Sequence, residues 1–420
     1  MERLLILNRE LCSGAGLLEG SPTTRSDRIS DVRGSMSAAI EKKNARTPAQ
    51  RVKGRLAITT AFATVAMFGY SGRGAYAGSC VGGAGSYVCS GPADPATDTT
   101  QSFVSGSGPL AVTTDPGFGI DTRGTGGDAI SLQGNGSATS LSFIESHGSA
   151  ISAEGVGVSA YSTGAAASSV NVHTTGTVTS EGANGVYGAV FGSDAKLTIS
   201  TADVVAKQTA IYGLNTGSGD LTITSTGSLS GLMGVNAQNH GATGASTIAV
   251  ADVIATGNGV YLNHNSSGAA SITTTGTVMT TDGSGIAMRA GANSGDVTME
   301  VGAITGDRNG VYLRHNGSGA VGITTNGVVS ADSGAGIYAV GSGTDLKISA
   351  NADVSGNGHY AIGVRNSGTG VTEVTATGAV TGTGSFSDYG VYVDARGGTD
   401  VKVAVDGLVT GHSRVISQNS

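Results

Sequence analysis

Between Gly157 and Val409 the apolar positions recur in a fixed phrase: a glycine, a Val or Ile, often a Tyr, then a second apolar or small residue. Gly259-Val260-Tyr261-Leu262 and Gly310-Val311-Tyr312-Leu313 are two copies. Taking the Val or Ile as anchor gives Val158, Val186, Ile211, Val235, Val260, Ile286, Val311, Ile337, Ile362 and Val391, in steps of 24 to 29 residues. A second phrase reads apolar-x-apolar, as in Leu197-Thr198-Ile199, Leu221-Thr222-Ile223, Val297-Thr298-Met299, Leu346-Lys347-Ile348 and Val401-Lys402-Val403. A third is anchored at Val178, Val204, Leu229, Val253, Val278, Ile304, Val329, Val354, Val380 and Val409. The series drift together, with the same long last step. A period of this size means stacked repeats that bury their apolar faces only against one another.

Alternation within each phrase is the period of a strand with one buried face. Gly, Asn, Asp and Ser gather between phrases, where corners need tight bends. No 3.6-residue pattern competes. The prediction is an all-β parallel β-helix with three strands per coil of about 25 residues. About eleven coils are expected if Ile130 and Ile151 belong to an earlier, looser copy, which at ~4.8 Å per coil makes a rod of roughly 50 Å. Val260, Ile286, Val311 and Ile337 should form one inward column, with Tyr261, Tyr312 and Tyr338 outside.

Residues 1–77 stand outside this pattern. Lys42, Lys43, Arg46, Arg51, Lys53 and Arg55 precede an apolar run from Leu56 to Tyr70, and Ala75-Tyr76-Ala77 offers a small-x-small cleavage site. Residues 36–77 therefore read as a secretory signal peptide, with 1–35 an unused extension before Met36. Residues 78–125 are expected to be a cap region and 126–420 the coils. The leader holds 12 Lys+Arg and 6 Asp+Glu; without it, 23 basic and 30 acidic residues fall to 11 and 24, a net charge of −13. So acidic a surface argues against nucleic acid as a partner. Of three cysteines, Cys12 lies in the leader, and Cys80 and Cys89 follow the cleavage site with eight residues between them. In an exported chain that pair reads as one small-loop disulfide.

The long signal peptide, the Cys80-to-Cys89 loop and the Gly/Thr/Val-rich coils together resemble the passenger region of bacterial type V secreted proteins. These are the autotransporters, and the likeness is to large adhesin-like members of alphaproteobacteria. The resemblance spans residues 36–420 and rests on architecture and repeat wording, without a catalytic signature. It implies display at the cell surface or release, through a C-terminal outer-membrane β-barrel. Here the anchor after Val391 is expected near Ile416, four residues before the sequence stops. The expectation is thus a fragment or truncated frame lacking its barrel, retained in the periplasm if truncated as given, with an unfinished coil able to self-associate at its C-terminal end.

Candidate chemistry is confined to the surface. Tyr187, Tyr212, Tyr261, Tyr312, Tyr338 and Tyr392 follow the anchors and face outward, a stripe suited to glycan rings or a partner protein. The bland reading is that Tyr is a good strand residue. Arg289 and Arg314 share the position three after the anchor on adjacent coils, as does Arg365, and could meet sialic acid or sulfated sugars; a solvated face is the plainer reading. Asp220, Asp296, Asp345 and Asp400 before the second strand, and Asp203, Asp252 and Asp353 before the third, alternate with neutral residues, which suits turns and solubility better than a calcium ladder. No metal or cofactor is expected. Of seven histidines only His264 and His315 share a coil position, with Ala290 between, and no Ser/His/Asp set falls on one face. The expected function is non-enzymatic, a passenger-type adhesin or stalk; the alternatives are a polysaccharide-degrading β-helix enzyme or a gene product without function.

Overall fold

A computed structural model describes residues 78–136, 140–164, 168–384 and 388–418. The signal-peptide and extension readings for residues 1–77 fall outside the described residues. The fold is a parallel β-helix. The first strands of successive coils stack into one sheet of thirteen strands, from Gln101–Ser105 to His412–Gln418, each hydrogen-bonded in parallel to the next. Second and third strands build the other wall, and in Leu221–Gly231 and Ser246–Ala255 they run together as one long strand per coil. Among the described residues no helix is long and apolar enough to cross a membrane.

The anchors stack in register, Val260 on Ile286, then Val311, then Ile337, and each is fully buried. The third-strand anchors do the same from Val178 to Val380. Each such Val, Ile or Leu contributes about 1.5–3 kcal/mol by leaving water. A coil alone could not hide them, so adjacent coils stabilise one another.

The stack is longer than the eleven coils counted from the anchors. Gln101 occupies the anchor position opposite Ile130, so the first coil carries no apolar signal there, and coils begin within the segment expected to be a cap. At the other end Ser413, not Ile416, lies opposite Val391, while Ile416 falls opposite Asp394. The third strand Val409–Thr410 passes into His412–Gln418 through Gly411 alone, which pulls the register forward. The stack begins at an antiparallel hairpin, Ser79–Gly83 with Ser86–Ser90, in which a disulfide joins Cys80 to Cys89 and Ser86–Cys89 seats on Ala111–Thr114.

The glycine before each anchor has a packing cause. A Cβ at Gly285 would lie 2.2 Å from Cγ2 of Ile304 and 2.9 Å from the Gly310 carbonyl. Gly157, Gly185, Gly234, Gly259 and Gly310 meet the third-strand Val in the same way. Alanine holds this place only at Ala129, Ala210 and Ala361, each fully buried. Gly285→Val is therefore expected to destabilise by roughly 1–3 kcal/mol or more through overpacking, and Gly285→Ala by less. Urea unfolding of the two variants checks this; equal midpoints for wild type and Gly285→Val would remove the explanation.

The corner carboxylates work between coils. Asp203, Asp252 and Asp353 accept hydrogen bonds from the backbone amides of Ser228, Thr277 and Ala379 in the following coil, at 2.7–2.8 Å. Asp220, Asp296 and Asp345 receive Ala245, Ala320 and Val371 likewise. The bond from Val371 is the chief reason the Asp345 carboxyl is held below its ordinary range. The receiving coil must leave room: a Cβ at Gly227 or Gly276 would fall 2.3 Å from the Asp203 or Asp252 oxygen. Alternation of Asp with neutral residues thus follows from hydrogen bonding and space as well as charge.

A buried polar column lines another corner. Asn215, Asn239, His264, His315 and Asn366 occupy the place four after the anchor and are fully or nearly fully buried. Asn215 shows the job, accepting from the Gly217 amide and donating to the Gly219 carbonyl. His264 donates through Nε2 to the Gly268 carbonyl at 2.9 Å and accepts from Ser246 at Nδ1. His315 donates to the Gly295 carbonyl, and its Nδ1 is buried without a hydrogen-bond partner.

Candidate functional site

Alternation puts the residue after each anchor on the outer face of the first-strand sheet, and strand pairing brings these residues into one line. In order the line reads Tyr187, Tyr212, Asn236, Tyr261, Ala287, Tyr312, Tyr338, Gly363, Tyr392 and Arg414. All six tyrosines are half-buried. Tyr187 and Tyr212 stack with centroids 5.4 Å apart and planes at 10°. Burial raises both phenols, which therefore stay neutral hydrogen-bonding groups at physiological pH. Tyr261 stands between Asn236 and Ala287, outside either stack.

The larger stack lies toward the C-terminal coils. Tyr312 stacks on Tyr338 at 6.0 Å, Tyr338 on Tyr360 at 6.2 Å, and Tyr360 on Tyr392 at 5.0 Å. Tyr389 packs beside Tyr360 and edge-on to Tyr392, and His412 meets Tyr389. Gly363 makes the stack continuous. A Cβ there would lie 2.7 Å from Cδ2 of Tyr360 and 2.9 Å from Cδ2 of Tyr338, so the missing side chain is the space these rings fill. Burial raises the Tyr338 phenol, and the positive charge of Arg365 opposes it.

Tyr360 and Tyr389 escape the sequence reading for a geometric reason. They lie two before an anchor, and strict alternation would place them inside. At that corner, however, Ala361 and Gly390 are themselves interior, so two successive residues point inward and the tyrosine before them turns out. The direct pairing of Tyr360 with Tyr389 follows from the coil register. A signal existed in the aromatic residue at the same offset in two consecutive coils.

The arginines flank this aromatic line. Arg289 lies directly opposite Arg314, and Arg365 sits between Val340 and Asp394; all three arginines are exposed. Among the described residues they take part in no ion pair, whereas Arg396 is held bidentately by Asp394 at 2.9 Å. Three shallow depressions follow the line. One of about 370 Å³ has Asn263, Asn265, Arg289, Tyr312, Arg314 and Asn316 in its wall. The next, about 360 Å³, uses Asn309, Tyr312, Tyr338, His359, Tyr360 and Arg365. The third, about 370 Å³, uses Val340, Arg365, Asn366, Tyr392, Asp394 and Arg396. Tyr312 is common to the first two and Arg365 to the last two, so they form one track along the stacking direction.

Such a track offers ring faces for stacking, amides for neutral hydrogen bonds and guanidinium groups without an ion-pair partner among the described residues for carboxylate or sulfate. Among the described residues no group of three or more His, Cys, Asp or Glu is placed to hold a metal ion. The histidine pair noted in the sequence lies in the core, away from this face. Comparison with family models, with curated proteins and with solved structures found no match to this chain.

Proposed function

We propose that this chain is an exported, passenger-type β-helix whose outer tyrosine–arginine face binds acidic glycan chains. The observation that carries the reading is the track from Asn263 to Arg396, with aromatic faces at its centre and, beside them, Arg289, Arg314 and Arg365, which form no ion pair among the described residues. Coils advance by ~4.8 Å, comparable to the advance of one sugar unit in an extended chain, so a polysaccharide lying along the stack can repeat the same contacts. Aromatic stacking supplies orientation, and Arg289, Arg314 and Arg365 select acidic over neutral chains. Binding is spread over several weak contacts, and avidity grows with their number. Display at the cell surface or in the medium is part of this proposal, supported by the leader and the resemblance to autotransporter passengers.

The test is retention on immobilised sulfated and uronic polysaccharides, with dextran as neutral control. Tyr338→Ala should weaken binding severalfold, as expected for an aromatic contact of about 0.5–1.5 kcal/mol. Arg365→Ala should weaken it about tenfold or more and flatten the salt dependence. Combining Arg289→Ala, Arg314→Ala and Arg365→Ala should leave no preference for the acidic chains. Retention indifferent to all of these changes would defeat the reading, and release of shortened oligosaccharides would replace it with an enzymatic one.

A further inference from the structure

The amino-terminal end of the described chain holds a buried carboxyl group, one oxygen of which is left without a partner. Asp98 is 2% exposed. Its Oδ2 accepts hydrogen bonds from the amides of Asp94 and Asp121, both at 2.9 Å. Its Oδ1 is buried and has no hydrogen-bond partner. Among the described residues the guanidinium nearest in sequence, that of Arg123, is committed to Asp121 and Glu181. Among the described residues no ion pair includes Asp98. A buried carboxylate oxygen that receives neither a hydrogen bond nor a counter-charge is costly, and Oδ1 of Asp98 has neither among the described residues.

Gly78 lies against this carboxylate. It is buried, has φ of +53°, and a Cβ built on it would fall 2.7 Å from Cγ, Oδ1 and Oδ2 alike. Only glycine fits there. Covalent geometry then places the Gly78 nitrogen within about 5 Å of Oδ1. Its amide hydrogen is already given to the Pro92 carbonyl at 3.1 Å, which fixes the nitrogen in the cap. A peptide nitrogen has one hydrogen and no charge; a terminal ammonium in the same place has three hydrogens and the missing positive charge. In the sequence Gly78 directly follows Ala75-Tyr76-Ala77, the small-x-small pattern that a signal peptidase reads.

We propose that hydrolysis of the Ala77–Gly78 bond makes Gly78 the first residue of the mature chain, and that its new ammonium pairs with Asp98 and completes the amino-terminal cap. Water is split across the peptide bond: Ala77 leaves with the leader as a carboxylate, and the freed Gly78 amine takes up a proton. The ammonium keeps its bond to Pro92 and turns a second hydrogen to Oδ1. Processing thereby supplies a cation that the described residues do not, so the cap reaches full stability only after export. This inference is independent of glycan binding, and its failure would leave the tyrosine–arginine track untouched.

The test uses the full chain, exported from a bacterial host, with the first residue of the purified product read by intact mass and terminal sequencing. Acylation of the α-amine is then compared in the native and urea-unfolded protein, with the exposed Lys207 as internal reference, for wild type and Asp98→Asn. The expected product begins at Gly78. Its amine should label at least about tenfold more slowly in the native wild type than unfolded, the scale of a charge-assisted hydrogen bond. Asp98→Asn should lose that protection while Lys207 is unchanged. A different first residue, a native amine as reactive as the unfolded one, or protection that survives Asp98→Asn would each overturn the proposal. Should Asp98→Asn not fold, the wild-type native-to-unfolded ratio and the first residue decide it.

Discussion

Replacing Glu145 by alanine is expected to cost roughly 3 kcal/mol and to loosen the two coils that meet at its corner. Glu145 is fully buried, yet among the described residues it takes part in no ion pair. Its carboxylate instead gathers the backbone amides of His147, Ser149, Thr175 and Gly176, at 2.6–3.0 Å, with the Thr175 hydroxyl at 3.2 Å. The first two belong to its own corner and the others to the next coil. Burial alone would raise this carboxyl, but the amide hydrogen bonds together outweigh it and bring the pKa down from 4.5 to about 2. Because the folded pKa is depressed, the contribution is full above 4.5 and is lost as the pH falls toward 2. Alanine leaves the His147, Ser149 and Gly176 amides without this acceptor, whereas the Thr175 amide keeps its bond to the residue 145 carbonyl; glutamine keeps one oxygen but turns an NH2 toward donors, so Glu145→Gln should fall between. Urea unfolding gives the magnitude and amide exchange gives the place. If the Ser149 and Gly176 amides exchange no faster in Glu145→Ala, the corner does not depend on the carboxylate.

The second large effect is loss of stability in mild acid, and it should vanish when His264 and His315 are both changed to asparagine. Burial is the main cause lowering both imidazoles below their ordinary value of 6.5, and at His264 the charge of His315 adds to it. The geometry agrees, since a proton on Nδ1 of His315 would find no acceptor and one on Nδ1 of His264 would have to displace the Ser246 hydroxyl hydrogen. Above pH 6.5 both folded and unfolded chains carry neutral rings, and the histidines impose no pH dependence. Below it the unfolded chain takes up protons that the folded chain refuses, so stability falls by up to about 1.4 kcal/mol per pH unit for each histidine. Asparagine already fills the same corner at 215, 239 and 366, so the double variant should fold. Its thermal midpoint should stay level from pH 7 to 5 while the wild type drops. A wild type with equal midpoints at both values would sink this account.

The parts of the fold legible in the sequence were those whose signal lies within a few consecutive residues. Val260, Ile286 and Val311 announce themselves because each is an apolar residue at fixed distance from a glycine and two places from another inward residue. The coils at Gln101 and Ser413 were not counted because their anchor positions are polar, a choice the ends of a stack tolerate. The site was half legible: alternation placed Tyr312, Tyr338 and Tyr392 outside, but the corner that inverts Tyr360 and Tyr389 is a property of the bend. Partners one coil apart were harder still. Nothing near Asp203 in sequence marks the Ser228 amide as its donor, and Glu145 looks like any strand-end glutamate until Thr175 and Gly176 are brought over it. The interior place of His264 and His315 could have been read from Asn215 and Asn239 at the same offset.

The corner aspartates also restrict how a gene for such an array can lengthen. A coil that offers a carboxylate, such as the one with Asp203, has Ala202 where the receiving coil has Gly227, and Asp252 and Gly276 stand in the same relation through Ala251. If the Asp203 coil were duplicated alone, an alanine methyl would land 2.3 Å from the carboxylate oxygen below it, and two aspartates would sit one strand spacing apart. Duplicating an offering coil together with its receiver repeats both halves of the arrangement and leaves the amides of the third-strand corner with their acceptors. At that corner the arrangement repeats as a pair of coils, one offering and one receiving.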